Sequence, residues 1–192
     1  MGKQLKSITL QLADFISEQK IFFVGTAASE GTVNVSPKGM DSLRVMDANT
    51  VVWLNLTGSG NETAAHLLQN NRMTIMFCAF EGKPLILRLY GKAELYHERD
   101  QAFQEYMTLF PPNVGARQII KLQVDLVQTS CGFAVPEMAF KGERTILENW
   151  AEKKGKEGIE AYWKEKNVKS LDGFETNILE ISQNGFPPKT TS

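Results

Sequence analysis

The sequence predicts a mainly β protein with peripheral helices, organised around an antiparallel barrel of six strands. Short runs of alternating or continuous apolar residues recur along the chain, and most are joined by hairpins or short turns. A glycine, Gly91, lies in the middle of a long alternating strand, where a bulge or bend would curve a sheet. Strands and helices do not alternate regularly, so a doubly wound parallel sheet is disfavoured.

The chain begins with a helix and a β-hairpin. The period of the apolar residues predicts a helix over residues 7–19, with Ser7 as its N-cap. Two strands follow, over residues 21–28 and 32–39, and Ser29-Glu30-Gly31 forms the turn between them.

Alternation along the second of these strands separates its side chains into an apolar and a polar face. Val33, Val35 and Pro37 lie on one face, and Asn34, Ser36 and Lys38 lie on the other. The polar face therefore presents a hydroxyl and an ammonium group two residues apart. The segment alone leaves two interpretations open, a polar binding surface or the solvated outer face of a hairpin.

A second polar segment, Thr57-Gly58-Ser59-Gly60-Asn61-Glu62-Thr63, lies between an apolar strand at 50–56 and a short helix. Its glycines permit a sharp turn, and its hydroxyl and amide side chains can cap the helix. A helix N-terminus presents unpaired N–H groups and a partial positive charge, which favours anions. The alternative interpretation is a capped turn that binds nothing. The segment matches neither of the glycine-rich nucleotide fingerprints.

The remaining strands are predicted over residues 72–80, 85–96 and 118–130. The first of them is apolar on both faces and is expected to be buried on both. An amphipathic helix over residues 98–110 ends at Pro111-Pro112.

The C-terminal part of the chain is helical and highly charged over residues 141–166, with Gly155 between two helical pieces. We expect a barrel domain over residues 1–140 and a helical extension over residues 141–182, packed on the barrel or on a partner subunit. The polar residues 183–192 are expected to form a loose tail.

Composition narrows the classes of function. The 192 residues carry a net charge of −1 and 42% hydrophobic residues, which is typical of one globular domain and disfavours a large nucleic-acid surface. No apolar run is long enough to span a membrane, and the cysteines suggest no disulfide framework, so a cytoplasmic protein is expected. No spacing typical of a metal site occurs. His66 is interpreted as structural, His97 as a surface residue and Cys78 as a core residue.

Four motifs occur in an order that resembles a bacterial family, the pyridoxamine 5'-phosphate oxidase-like proteins. They are Val33–Gly39, Thr57–Thr63, Phe77–Gly82 and Ser130–Phe133. The resemblance implies a six-stranded antiparallel split β-barrel of Greek-key type and a homodimer that binds FMN at its subunit interface. It also implies an FMN-dependent oxidoreductase that acts on a small molecule. Alternatives are a non-catalytic protein that binds or stores a flavin, haem or deazaflavin, and an assembly protein with a vestigial pocket.

The resemblance also implies where the cofactor binds. The expected FMN-binding residues are Val33, Asn34, Val35, Ser36, Lys38, Leu56, Thr57, Gly58, Ser59, Asn61, Glu62 and Thr63. Lys38 matches the basic residue that meets the flavin phosphate or ring in the family. No side chain is assigned a catalytic role, because the flavin itself carries the electrons in such chemistry.

One departure from the family pattern concerns the phosphate. Glu62 and Thr63 stand where the family's oxidases carry an Arg-Lys pair, and a carboxylate cannot bind a phosphate. The phosphate is therefore expected to rest on the strand lysine, Asn61, hydroxyl groups and backbone N–H groups, with help from Arg72 or Arg88. Glu62 is interpreted as a residue that caps or orients the turn. The C-terminal Trp and Arg signature that holds pyridoxal phosphate is not evident, so oxidation of vitamin B6 is left open.

Overall fold

The computed structural model describes residues 2–179, and eight β-strands form one sheet within them. The strands are β1 (Lys3–Leu5), β2 (Phe22–Ala27), β3 (Val33–Lys38), β4 (Leu43–Asp47), β5 (Thr50–Leu56), β6 (Arg72–Cys78), β7 (Ile86–His97) and β8 (Ala116–Ser130). The helices are α1 (Leu10–Glu18), α2 (Glu62–Gln69), α3 (Gln101–Met107) and α4 (Ile146–Lys166).

Every strand pairing among the described residues is antiparallel. The strand order is β3-β2-β6-β7-β8-β5-β4, and β1 pairs with β8 beside this path. The path begins at β3 and ends at β4, so the sheet is open. β7 pairs along one edge of β8, while β5 and β1 pair with successive parts of its other edge. The long strand β8 therefore joins β3, β2, β6 and β7 on one side to β5, β4 and β1 on the other.

The antiparallel class predicted from the sequence is confirmed, but the predicted number of six strands is wrong. The two additional strands are β1 and β4, which have three and five residues. Both are short, and only Leu5 of β1 and Leu43 and Val45 of β4 pack against the main core, which is too few apolar positions to mark a strand in the sequence. Each is held by backbone hydrogen bonds to a longer strand, and such pairing requires no apolar side chains.

The N-cap of α1 is Thr9 rather than the predicted Ser7. The Thr9 hydroxyl accepts a hydrogen bond from the N–H of Leu12 at 3.3 Å. The N–H of Ile8 donates to the carbonyl of Ala48 at 2.7 Å. This bond anchors residue 8 to the segment before β5, so the helix begins only after residue 9.

The main apolar core draws buried side chains from α1, from α2 and from five strands, β2 and β5 to β8. Its largest fully buried members include Trp53, Ile75, Phe77, Leu87 and Leu89. A second cluster forms where α3 packs beside β5 and β8, around Phe103 and Phe110. These two clusters fix the strands whose ends carry the polar residues described below.

The C-terminal helix α4 docks on the sheet through Trp163, whose indole N–H donates to the Thr57 hydroxyl at 2.8 Å. Gly155 has a φ of 61° and interrupts the helix, as the sequence predicts. The predicted tail over residues 183–192 lies outside the described residues. None of the helices described here combines the length with the apolar character that a membrane-spanning helix requires.

Gly91 produces the bulge predicted from the sequence, because the register between β7 and β8 shifts between Tyr90 and Gly91. A Cβ at this position would lie 1.9 Å from the carbonyl oxygen of Gln123 on the neighbouring strand. Only glycine permits this close approach of two backbones.

We expect Gly91→Ala to lower the free energy of unfolding by about 2–3 kcal/mol, because β7 and β8 must separate to admit the methyl group. Urea denaturation measures the change. The control is Gly25→Ala in β2, where an added Cβ meets its nearest atoms at an ordinary 3.9 Å. Equal stability of the two variants would contradict the account of the bulge.

Candidate functional site

A small polar cavity lies between the polar face of β3 and the turn that follows β5. Its volume is about 280 Å³. Nine of the predicted cofactor-binding residues line it: Asn34, Ser36, Lys38, Leu56, Gly58, Ser59, Asn61, Glu62 and Thr63. Asn55, Gly60 and Arg117 complete the lining. The two polar segments recognised in the sequence therefore face each other across one cavity.

Three of the predicted residues do not line the polar cavity. Val33 and Val35 lie on the opposite face of β3 and are 73% and 66% exposed. Thr57 is buried, and its hydroxyl is already used, because it donates to the carbonyl of Gly115 at 2.9 Å and accepts from Trp163. The Thr57 side chain holds α4 against the sheet, and its hydroxyl has no remaining proton for a ligand.

Arg117, which sequence reasoning missed, is the most deeply buried cation of the cavity. It lies in β8 and is only 3% exposed. Its Nη1 donates to the carbonyl of Gly60 and to Oδ1 of Asn167, each at 2.9 Å. Its Nε is buried without a hydrogen-bond partner among the described residues. Within this part of the chain the guanidinium therefore has only neutral oxygens as partners, and it retains hydrogen-bonding capacity.

The arginines expected to assist the phosphate lie elsewhere. Arg72 donates to the side chain of Asn70, and Arg88 donates to the hydroxyl of Ser130. Neither lines the polar cavity. The only sequence signal for Arg117 is its position directly before an apolar strand. The strand predicted over residues 118–130 starts one residue after Arg117, whereas β8 includes it.

Burial perturbs both cations of the cavity. It lowers the pKa of Lys38 to about 8, and the positive charge of Arg117 contributes to this shift. Burial likewise lowers the pKa of Arg117 to about 9. No ion pair among the described residues includes either side chain. A buried and a half-buried cation that face the same cavity are an unfavourable arrangement, which a bound anion would relieve.

Glu62 does not neutralise these cations through an ion pair. It is the first residue of α2, and both of its carboxylate oxygens lie 3.1 Å from the backbone N–H of Leu171. Asn61 precedes it as the N-cap, and its side-chain amide donates to the carbonyl of Asn167 at 3.2 Å. The start of α2 is thus joined to the segment after α4.

A second, larger cavity adjoins the polar one at Lys38, which lines both. Its volume is about 1150 Å³. Its walls include the apolar side chains of Met40, Phe80, Phe140 and Trp150. The Lys38 ammonium lies 5.1 Å from the centre of the Trp53 ring, within the range of a cation–π contact. We call these two spaces the polar cavity and the apolar cavity.

The histidines and cysteines have mainly structural surroundings. His66 is fully buried, and its Nδ1 shares a 3.1 Å hydrogen bond with the Thr26 hydroxyl. The prediction that His97 is a surface residue is wrong, since it is 6% exposed and burial lowers its pKa to about 4. It lines a small pocket with residues of α4, Glu160, Trp163 and Lys164, which lie far from it in the sequence. Cys78 is buried as predicted, and Cys131 is exposed.

The sequence model of the family described as pyridoxamine 5'-phosphate oxidase matches residues 8–131. The chain belongs to this family. The matched region runs from the start of the core to the end of β8, so it contains all the described strands except β1. It ends before α4 and the segment that follows α4.

A curated relative in Aspergillus flavus is the pyridoxamine 5'-phosphate oxidase family protein ustO. The two proteins are 39% identical over 136 residues, which cover 68% of this chain and 55% of the relative. The match thus spans about half the length of that relative.

Two solved structures share the fold. One is a variant of HupZ from Group A Streptococcus, with a TM-score of 0.52 and 22% identity over 64% of this chain and 99% of that chain. The other, from Lactobacillus delbrueckii, is described as a candidate pyridoxamine 5'-phosphate oxidase. It has a TM-score of 0.52 and 16% identity over 64% of this chain and 94% of that chain. At these identities the likeness establishes the fold alone.

Proposed function

We propose that the protein is an FMN-dependent oxidoreductase and that the polar cavity holds the FMN phosphate. The observation that carries this proposal is a pair of cations, the buried Arg117 and the half-buried Lys38, which face one small cavity without a carboxylate ion pair among the described residues. A phosphate dianion supplies the missing negative charge, and charge-assisted hydrogen bonds to it are among the strongest available.

Other groups of the cavity fit a phosphate as well. The Ser36 hydroxyl is buried and has no hydrogen-bond partner among the described residues, so it is free to donate. The turn at Gly58–Asn61 leads into the N-terminus of α2, where backbone N–H groups and the helix dipole favour an anion. We assign phosphate binding to Arg117, Lys38, Ser36 and this turn.

The apolar cavity suits the flat ring system of the same ligand. Because Lys38 lines both spaces, a molecule with an anionic end and a planar apolar body can extend from one to the other. When bound, the flavin supplies the hydride or electron transfer, and the chain positions it and limits the access of water. The substrate is a small molecule of unassigned identity.

We also propose a homodimer that covers the exposed face of β3. Val33 and Val35 present an apolar surface on an edge strand, where a second copy can bury them. Sedimentation of the wild-type protein is expected to give twice the 21.5 kDa mass of the chain. A monomer at all concentrations would exclude this part of the proposal. The free cysteines agree with a reducing cytoplasm as the compartment.

Replacement of Lys38 by methionine is expected to weaken FMN binding while it raises the thermal stability of the ligand-free protein. FMN affinity should fall about tenfold to a hundredfold, because a charged hydrogen bond of ~1.5–3 kcal/mol is lost. The ligand-free protein should unfold at a higher temperature near pH 7, because an ammonium with a lowered pKa is costly to bury below about pH 8. Each kcal/mol gained in the free energy of unfolding corresponds to a rise of about 2–4 °C in the unfolding temperature.

The same charge makes FMN binding depend on pH. Lys38 loses its proton in the free site around its pKa of about 8, so wild-type affinity should be higher at pH 7 and fall progressively as the pH rises through 8. The FMN affinity of Lys38→Met should fall less over the same pH range, because this variant has no ammonium at residue 38 to lose its proton. Quenching of FMN fluorescence measures each dissociation constant.

Arg72→Met is the control, since it removes an equal charge that lies outside both cavities. If Lys38→Met binds FMN as tightly as Arg72→Met does, Lys38 has no place in the site. Catalysis is tested separately from binding. Bound FMN that neither NADH, NADPH nor pyridoxamine 5'-phosphate reduces would favour a flavin carrier over an oxidoreductase.

A further inference from the structure

The segment that follows α4 forms a short hairpin beside the polar cavity, and we call residues 167–176 the C-terminal strap. The N–H of Thr176 donates to the carbonyl of Val168 at 3.0 Å, and the N–H of Ser170 donates to the carbonyl of Phe174 at 2.9 Å. The strap lies outside residues 8–131, which the family model matches. The strap does not line the polar cavity but contacts residues that do, and it belongs to a part of the chain that the family model does not match.

Asn167 joins the strap to three parts of the polar cavity. It is fully buried. Its Oδ1 accepts from Nη1 of Arg117 at 2.9 Å, and its Nδ2 donates to the carbonyl of Gly58 at 3.1 Å. Its backbone carbonyl accepts from the side chain of Asn61 at 3.2 Å. One residue therefore holds the cation, the glycine turn and the N-cap of α2 in a fixed relation.

Two carboxylates fasten the rest of the strap. Glu62 accepts from the N–H of Leu171, as described above. Asp172 accepts from the N–H and the hydroxyl of Thr32 at 2.8 and 2.7 Å, in the turn between β2 and β3. The strap is thus attached to both segments that form the polar cavity. Glu62, which stands where the family's oxidases carry a cation, serves this attachment.

We propose that Asn167 is a positioning residue, which orients the Arg117 guanidinium so that it can bind the phosphate of the ligand. Both hydrogen bonds that the guanidinium makes within the described residues involve Nη1, so the remaining nitrogens are left for an anion. Without Asn167, the carbonyl of Gly60 alone would hold the guanidinium there, and it could turn about its side-chain bonds. Fixing a binding group before the ligand arrives raises affinity, because less conformational freedom is lost on binding.

This inference rests on the proposed anion site, and it predicts an effect that depends on the phosphate. Asn167→Ala should weaken FMN binding about tenfold and leave riboflavin, which lacks the phosphate, unaffected. The matched control is Thr176→Val. It removes a 2.6 Å hydrogen bond to the backbone carbonyl of Asn167 but leaves the Asn167 side chain on Arg117. This control should unfold at a lower temperature and bind FMN normally.

Fluorescence titrations with FMN and riboflavin on the full chain give the affinities, and stabilisation by inorganic phosphate in thermal unfolding reports the anion site alone. Normal FMN affinity of Asn167→Ala, or an equal loss in Thr176→Val, would overturn the positioning role. Should Asn167→Ala not fold, Asn167→Ser replaces it. The serine side chain is polar but too short to accept from Nη1 of Arg117, so FMN affinity should again fall about tenfold, and unchanged affinity would overturn the role.

The outcomes also separate this inference from the proposed function. If inorganic phosphate stabilises the wild type but FMN does not bind, the flavin assignment fails. In that case the positioning role is supported if inorganic phosphate no longer stabilises Asn167→Ala, and it is excluded if phosphate stabilises this variant as much as the wild type. If neither phosphate nor FMN binds the wild type, both the anion site and the role of Asn167 are excluded.

Discussion

Arg117 is a buried cation whose partners among the described residues are two neutral oxygens, and the arrangement around the polar cavity depends on it. A guanidinium without a carboxylate is costly to remove from water, so a fold retains it only where other groups offset that cost. Here the carbonyl of Gly60 and the side chain of Asn167 share one terminal nitrogen. Burial, together with the same charge, lowers the pKa of Lys38, and both cations therefore favour a bound anion.

The sheet topology explains how these residues meet. β8 is the longest described strand and places Arg117 near its start, beside the end of β5 and the turn that follows it. In the strand order β3 lies at the opposite end from β5 and β4. The helix α2 contacts β2, the strand that pairs with β3. The cavity is therefore assembled from β3 at one end of the strand order and from β8 and β5 near the other, and the C-terminal strap holds these parts together.

The features that sequence predicted are local ones. Alternation along residues 32–39 places Asn34, Ser36 and Lys38 on one face, and the structure puts that face in the cavity rather than in solvent. The glycine bulge and the break in α4 also follow from local signals. Arg117 and the buried position of His97 could not be found in this way, because segments far away in the sequence bury both residues. The edge strands β1 and β4 were missed because their stability comes from partner strands.

The central claim is that the paired cations of the polar cavity bind the phosphate of FMN. A crystal structure of the protein with FMN tests it most directly. The account predicts phosphate oxygens within about 3 Å of the Arg117 guanidinium and the Lys38 ammonium, with the flavin ring extending toward the apolar cavity. A complex in which the phosphate contacts neither cation would contradict it.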